Sequence, residues 1–463
     1  MNSISSFLTQ LSSFDNAWEG VWFLIKNGGW VLLLIVLLWG LKEAWLYWRQ
    51  NIYYSKQKYV LLAVDVPKEN EQGPKAVENL FAQIYGSYKT PNLVEKYWQG
   101  FLTPKFSFEI ISDGGYLQFL VHSPTLFRNL VEAAIYAQYP DAEITEVEDY
   151  AGAVPTAYPN KTYNLWGTEF VTYNKDHYPI RTYPFFEYGL TQEFKDPMAS
   201  LLEIMSNISP TEHIWLQLVI TPILPDWIKG GVRLVRKLIG AQVPETDGAS
   251  TYFAKLGQAG QKLAKGAFDT ATASFKTSET EVARKQQALR SQMLYLSPGE
   301  RTAVEAVEAK ISKHGFDTKF RFMYWGPRDI FSKPRGVNGI LGSIAQFNSL
   351  DLNGFKPHPK SKTTIDYFFI KRRVAARQRR LVLAYKYRSN WRGRARFVLN
   401  IEELATLWHF PMMDIRTPLL KKTEAKRMEP PFALPVEQAP RQETEAIEGE
   451  RGEEVSEAEV EEF

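Results

Sequence analysis

Residues 106–124 read FSFEIISDGGYLQFLVHSP, and this stretch decides the fold. Two runs rich in aromatic and aliphatic residues flank Asp113-Gly114-Gly115, a hairpin turn signal. Phe106–Ile111 and Tyr116–Val121 are therefore predicted strands. Upstream, Tyr59–Val66 (YVLLAVDV) is a third β-rich run, ended by Pro67. Between these runs, Pro74–Tyr88 sets Val77, Leu80, Phe81, Ile84, Tyr85 and Tyr88 at helical spacing. Downstream, Ser123-Pro124 predicts a second helix with proline in its first turn, its apolar face lined by Leu126, Leu130, Ala133, Ala134 and Ala137. Pro140-Asp141 ends that helix, and Ala142–Val147 reads as a last strand. The order β-α-β-β-α-β predicts a ferredoxin-like sandwich over 59–150. That architecture hosts many functions and names none of them.

Toward the N-terminus, Gly29–Trp48 reads GWVLLLIVLLWGLKEAWLYW, with Lys42 and Glu43 its only charges. Twenty residues at ~1.5 Å rise reach ~30 Å, the thickness of a bilayer's hydrocarbon. Trp22, Trp30, Trp45, Tyr47 and Trp48 lie near its two ends, as an aromatic belt would. The segment 29–48 is therefore predicted to be a transmembrane helix, the single span of an uncleaved anchor. A cleaved signal peptide is the alternative, and it fits poorly. No basic region precedes the run, the run is too long, and no small-residue cleavage site follows it. Residues 1–20 carry Asp15 and Glu19 and no Lys or Arg, whereas Lys42, Arg49, Lys56 and Lys58 follow. The charge step puts residues 1–28 outside the cell membrane and the large body in the cytoplasm.

Toward the C-terminus, residues 160–350 predict a second α+β domain. Strands are expected at Thr168–Tyr173, Glu212–Thr221 and Thr318–Trp325, and helices at Pro197–Asn207, Pro298–Lys313 and Val337–Phe347. A split second copy of the first unit is compatible with this order, although no sequence repeat shows it. A helical insertion over 225–297 interrupts the domain and begins with the basic amphipathic segment Asp226–Gly240. Trp227, Val232, Val235, Leu238 and Ile239 share one face of it. Such a helix either lies on an anionic membrane or packs on its own domain. Residues 351–411 form a basic helical region, most of it in 362–396, with a further helix over 398–409 capped by Asn400. Residues 412–463 are first Pro-rich and then Glu-rich. From Glu437 to Phe463 there are 11 Glu against two Arg, too little apolar surface to fold alone, so a disordered acidic tail is expected.

Composition narrows the chemistry. None of the 463 residues is cysteine, which removes disulfides, thiol nucleophiles and Cys-ligated zinc together. His122, His177, His213, His314, His358 and His409 fall in no metal-ligand spacing. Glu146, Glu148 and Asp149 read as a solvated strand end rather than an acid–base pair. Gly339 and Gly342 lie in a helical context without the strand that a dinucleotide loop needs. No nucleophile motif appears. The expectation is a protein that is not an enzyme, with no catalytic residue, metal or cofactor; an enzyme without a recognisable motif is the alternative.

One segment has a functional look. Between Lys371 and Arg396 stand 11 basic residues and no acidic one: Lys371, Arg372, Arg373, Arg377, Arg379, Arg380, Lys386, Arg388, Arg392, Arg394 and Arg396. Guanidinium forks bind phosphates bidentately, and Tyr385, Tyr387 and Trp391 offer rings for stacking. Nucleic acid, anionic lipid below the anchor, and an acidic partner that includes the chain's own tail all fit this candidate polyanion-binding set. A solvated basic helix without a partner fits as well.

The run AIYAQYPDAEI at 134–144, closing in Glu148-Asp149-Tyr150, resembles a bacterial domain of unknown function. That domain commonly sits between a membrane anchor and the motor of conjugation-type, TraD/TraG- or HerA-like ATPases. The run NIEELATLWHFP at 400–411 is similar to the end of the same region, and the prolines through Leu434-Pro435 resemble the linker into the motor. The resemblance covers roughly 59–435. A motor needs a P-loop with a Gly-Lys pair, and none of the 29 glycines is followed by lysine. The resemblance therefore implies a membrane-anchored accessory or scaffold component of a type IV secretion or conjugation-like apparatus, with a separate motor ATPase as its protein partner.

Overall fold

A computed structural model describes residues 30–412 except 68–69, 187–195, 241–295 and 395, with a few isolated positions before residue 30. Most of the expected extracytoplasmic segment 1–28, most of the helical insertion and the acidic tail lie outside the described residues.

Helix α1 runs from Trp30 to Lys56. Its two halves differ. From Trp30 to Leu41 it is apolar and its described side chains are exposed, with Leu33, Ile35, Val36, Leu37 and Trp39 each more than half exposed. From Trp45 it lies against a short π-helical turn at Glu95–Gln99. There Trp45 donates its indole N–H to Tyr97 O at 2.8 Å, and its ring meets Trp98 at 5.7 Å. Among the described residues no helix is long and apolar enough to cross a membrane. The expected span over 29–48 thus gains no support. Lys42 and Glu43 pair at 2.9 Å on the helix surface, and the residues after them turn to protein.

The body is one antiparallel sheet. Its strands are β1 (Tyr59–Asp65), β2 (Phe106–Asp113), β3 (Tyr116–Pro124), β4 (Glu143–Glu146), β5 (Tyr163–Thr172), β6 (His213–Pro222), β7 (Gly315–Pro327), β8 (Phe355–Pro357) and β9 (Phe397–Asn400). They stand in the order β4-β1-β3-β2-β6-β7-β5-β8, with β9 along the start of β7. The first four, with helices α2 (Pro74–Ile84) and α3 (Arg128–Tyr136), make β-α-β-β-α-β. Strands β5 to β8, with α4 (Met198–Ser206) between β5 and β6, follow the same strand order in mirror sequence along the sheet. The two sets join where β2 pairs with β6, the equivalent strand of each, from Phe106↔Ile220 to Asp113↔His213. The second region is thus a topological copy of the first that shares its sheet. A repeat can be built in backbone order without any repeat of residues, because only the buried pattern has to match.

Between β6 and β7 come α5 (Asp226–Leu238) and α6 (Pro298–Ile311), and α7 (Gly339–Ala345) follows β7. Helix α8 (Ile370–Lys386) precedes β9, and α9 (Ile401–Leu407) follows it. Both sheet faces are covered, so β1 reads as a continuous apolar run. Leu62 and Val64 enter one core, while Leu61 and Ala63 enter the other. The first core takes Phe81 of α2, Ile135 of α3, Leu202 of α4, Ile344 of α7 and Leu404 of α9. Trp408 is fully buried there, its ring against Phe81, Phe108 and Phe119. On the opposite face Leu120, Trp215 and Met323 meet Leu381, Val382 and Tyr385 of α8.

Several boundaries differ from the sequence reading. Helix α3 starts at Arg128 rather than at Ser123, because Ser123 and Pro124 still pair with β1 and a 3₁₀ turn follows them. Its buried face is accordingly Val131, Ala134 and Ile135, and Leu126 is 85% exposed. The basic helix covers only Ile370–Lys386 of the expected 362–396. Helix α5 packs on the body: Val235 joins Val304 and Val307 of α6, and Trp227 lies against Gly315. Asn400 caps α9 as expected, in a reciprocal capping box with Glu403.

Candidate polyanion interface

Under α8, one polar residue from each of four neighbouring strands stands in a single row. Cross-strand partners are Glu109 of β2 with Gln217 of β6, Gln217 with Arg321 of β7, and Arg321 with Glu169 of β5. All four are buried. Gln217 donates to Glu109 at 2.9 Å, Arg321 donates to the Gln217 oxygen at 2.9 Å, and Arg321 Nε donates to Glu169 at 3.0 Å. Charges this deep persist only when paired and fully hydrogen-bonded.

The segment after α8 closes over this row. Arg388, at φ +46°, turns inward and donates to Glu109 at 2.8 and 3.0 Å and to Asp149 at 2.7 and 3.0 Å. Burial opposes the Asp149 charge, but the Arg388 bonds outweigh it and hold the carboxyl below its usual range. Lys105 donates to Tyr54 OH and to the Tyr387 and Arg388 carbonyls at 2.6, 3.1 and 3.0 Å. Burial, then Arg388 and Arg321, press its amine down to about 7. Arg321 also donates to the Ser389 carbonyl. Asn390 donates to Thr221 Oγ1 at 2.7 Å, and the Arg394 N–H donates to Glu169 at 2.7 Å. Gly393, at φ +92°, has to be glycine: a Cβ there would stand 2.1 Å from Glu169 Oε1.

This platform and α8 bound a cavity of about 290 Å³. Lys360, Arg377, Arg380, Arg392 and Arg394 line it, with Glu169 as the carboxylate, already engaged by Arg321. Arg377 is fixed by the carbonyls of Pro359, Lys362 and Thr364 at 3.1, 2.7 and 3.2 Å. Burial, then Arg373 and Arg394, lower its affinity for a proton; burial, then Arg394, do the same at His358. The field in the cavity is net positive. Its forks present donors to phosphate or carboxylate oxygens.

The eleven basic residues of the sequence reading are divided by the fold. Arg377, Arg380, Arg392 and Arg394 converge on the cavity. Lys371, Arg372 and Arg373 are exposed at the start of α8, and Arg379 is exposed further along it. Lys386 is half-buried. Arg396 pairs with Asp317 at 3.0 Å and lies over the Trp391 ring. Arg388 is a correction: it is 2% exposed and serves the interior, so it offers nothing to a ligand. Tyr385 is another, fully buried with its hydroxyl 2.8 Å from that of Tyr150. Asp149 is likewise no free strand-end carboxylate. Tyr387 and Trp391 are exposed as expected. Sequence reasoning missed Lys360 and Glu169, which reach the cavity through bonds between the 358–361 turn and β5: His358 N–H donates to Glu169 O, and Ser361 Oγ accepts from Glu169 N–H. No local pattern signals that approach. Among the described residues no group of three or more His, Asp or Glu could hold a metal ion.

Residues 52–423 match the family described as domain of unknown function DUF8128, and the chain belongs to that family. No curated protein matches it.

Proposed function

We propose that the protein is a non-enzymatic, membrane-associated scaffold that presents a cationic cavity to a polyanionic partner. The observation that carries this reading is α1. A helix that is apolar on every side from Trp30 to Leu41, and docked to the body only from Trp45 onward, has no face for water. Lipid satisfies such a surface. In this reading the segment 29–48 is the anchor, the N-terminus is outside, and the body lies in the cytoplasm, where a charge step of this sign puts it. The scaffold would serve a type IV secretion or conjugation-like transfer apparatus and work beside a separate motor ATPase, since this chain has no P-loop.

A second reading, a membrane-tethered nucleic-acid-binding protein, is favoured by the convergence of Arg377, Arg380, Arg392 and Arg394 with exposed Tyr387 and Trp391 nearby.

Single cysteines placed in this cysteine-free chain test the anchor. The Ser5→Cys variant should react with an impermeant reagent on intact cells, and the Tyr116→Cys variant only after lysis. The reverse pattern overturns the orientation, and release of the protein from membranes by alkaline carbonate overturns the anchor. Tight, magnesium-dependent ATP binding by the purified chain would sink the non-enzymatic reading.

A further inference from the structure

Tyr367, Phe368, Phe369 and Ile370 are four consecutive large apolar side chains on the surface, at the entry to α8. Tyr367 is 74% exposed and each phenylalanine 82%. Scattered exposed apolar residues need no explanation, but four in a row do. The backbone holds them out. Phe368 and Phe369 have φ of +43° and +51°, a left-handed conformation that costs an L-residue ~1–2 kcal/mol. The turn is stapled in that shape: Arg373 Nη1 donates to the Tyr367 and Phe368 carbonyls at 2.7 and 3.3 Å, and the Arg373 N–H donates to Phe369 O at 3.0 Å. This is a formed projection with a shape of its own. Exposed Lys371 and Arg372 follow at once, and Asp366 is the one nearby acid in sequence.

An apolar tip backed by cations matches one surface best. Aromatic rings settle at the boundary between headgroups and acyl chains, and Lys and Arg stems reach back to lipid phosphates. Each such cation near an anionic leaflet is attracted to it within a Debye length. We propose that Tyr367–Ile370 is a wedge that inserts into an anionic bilayer, with Lys371 and Arg372 holding headgroup phosphates. The wedge lies more than 300 residues from α1 in sequence and rests on its own observations, so it stands whether or not α1 is an anchor.

The test uses the full chain, free of native cysteine. Phe368→Cys, Ile35→Cys and Tyr116→Cys are each labelled with an environment-sensitive nitrobenzoxadiazole dye. They are mixed with vesicles of phosphatidylcholine alone, or with phosphatidylglycerol at three to one. With anionic vesicles the label at 368 should shift to the blue, brighten severalfold and be quenched by lipids carrying a nitroxide on the acyl chain. The label at 116 should not change. Phosphatidylcholine alone should give a weak response, and Lys371→Gln with Arg372→Gln should lower the anionic response while leaving the melting temperature in place. The label at 35 reports on α1 separately, so failure of the anchor and failure of the wedge are distinguishable. The wedge is overturned if the 368 label stays in water on vesicles that carry the protein, or if the chain binds no anionic vesicle. It is overturned equally if the label shifts without lipid as protein concentration rises, which would mark a contact between copies, or if it shifts with DNA alone.

Discussion

Arg388 and Glu109, 279 residues apart in sequence, close on each other through two hydrogen bonds of 2.8 and 3.0 Å under α8. Glu109 also accepts from Ser107, Tyr150 and Gln217. A carboxylate with that many donors is fully compensated, and its partner keeps the post-helical segment pinned to the sheet.

Removing one side of that pair should be severe. Arg388→Leu leaves Glu109 buried without its charge partner and should lower stability by about 3–5 kcal/mol. Adding Glu109→Leu to it should recover part of the loss, since two apolar groups need no partner. Denaturant unfolding of the single and double variants measures this. Additive losses would show that the two residues do not act as a pair.

Two glycines should respond with opposite sign. Gly393→Ala puts a methyl into Glu169 at a left-handed backbone position, so it should destabilise by at least about 2 kcal/mol. Gly342→Ala, in α7 with open space around it, should stabilise by about 0.5–1 kcal/mol. Melting temperatures of the two variants give the answer.

Stability should rise with pH through the window from about 7 toward the ordinary lysine range near 10.5. Inside the fold the Lys105 amine loses its proton at about 7. Above that value the folded state binds fewer protons than the unfolded chain, so raising pH favours folding, by at most about 1.4 kcal/mol per unit for this one group. Lys319, lowered to about 8 by burial and then Arg321, adds to the same slope. Lys105→Met should flatten the profile between pH 7.5 and 9.5 (about the middle of that window). An unchanged slope would place the titration elsewhere.

Polyanion binding should follow the cavity rather than the helix as a whole. Changing Arg380, Arg392 and Arg394 together to Gln should weaken binding of a short DNA oligonucleotide. It should also reduce the slope of log K against log salt by about one for each phosphate that the protein no longer neutralises. Changing Arg372, Arg373 and Arg379 should have the smaller effect. Truncation after Leu434 should tighten binding if the Glu-rich tail competes for the same guanidinium groups. Filter binding at two salt concentrations reads all three. Equal losses from the two arginine sets would mean that the whole basic surface binds diffusely.

By itself the sequence determined what is local. The Asp113-Gly114 turn, the strands around it, the helical spacing of Val77 to Ile84 and the Asn400 cap all depend on neighbours a few residues away, and each stands where the pattern put it. It also closed cysteine chemistry to these 463 residues, since none of them carries a thiol. The tertiary structure decided what depends on register between distant strands. Glu109, Gln217, Arg321 and Glu169 form one row only because β2, β6, β7 and β5 pair as they do. That row selects Arg388 out of eleven similar cations for the interior and leaves Arg377, Arg380, Arg392 and Arg394 around a cavity. In the sequence they are one uniform basic run. The cost of burying a charge, which only a partner from another strand offsets, is what divides them.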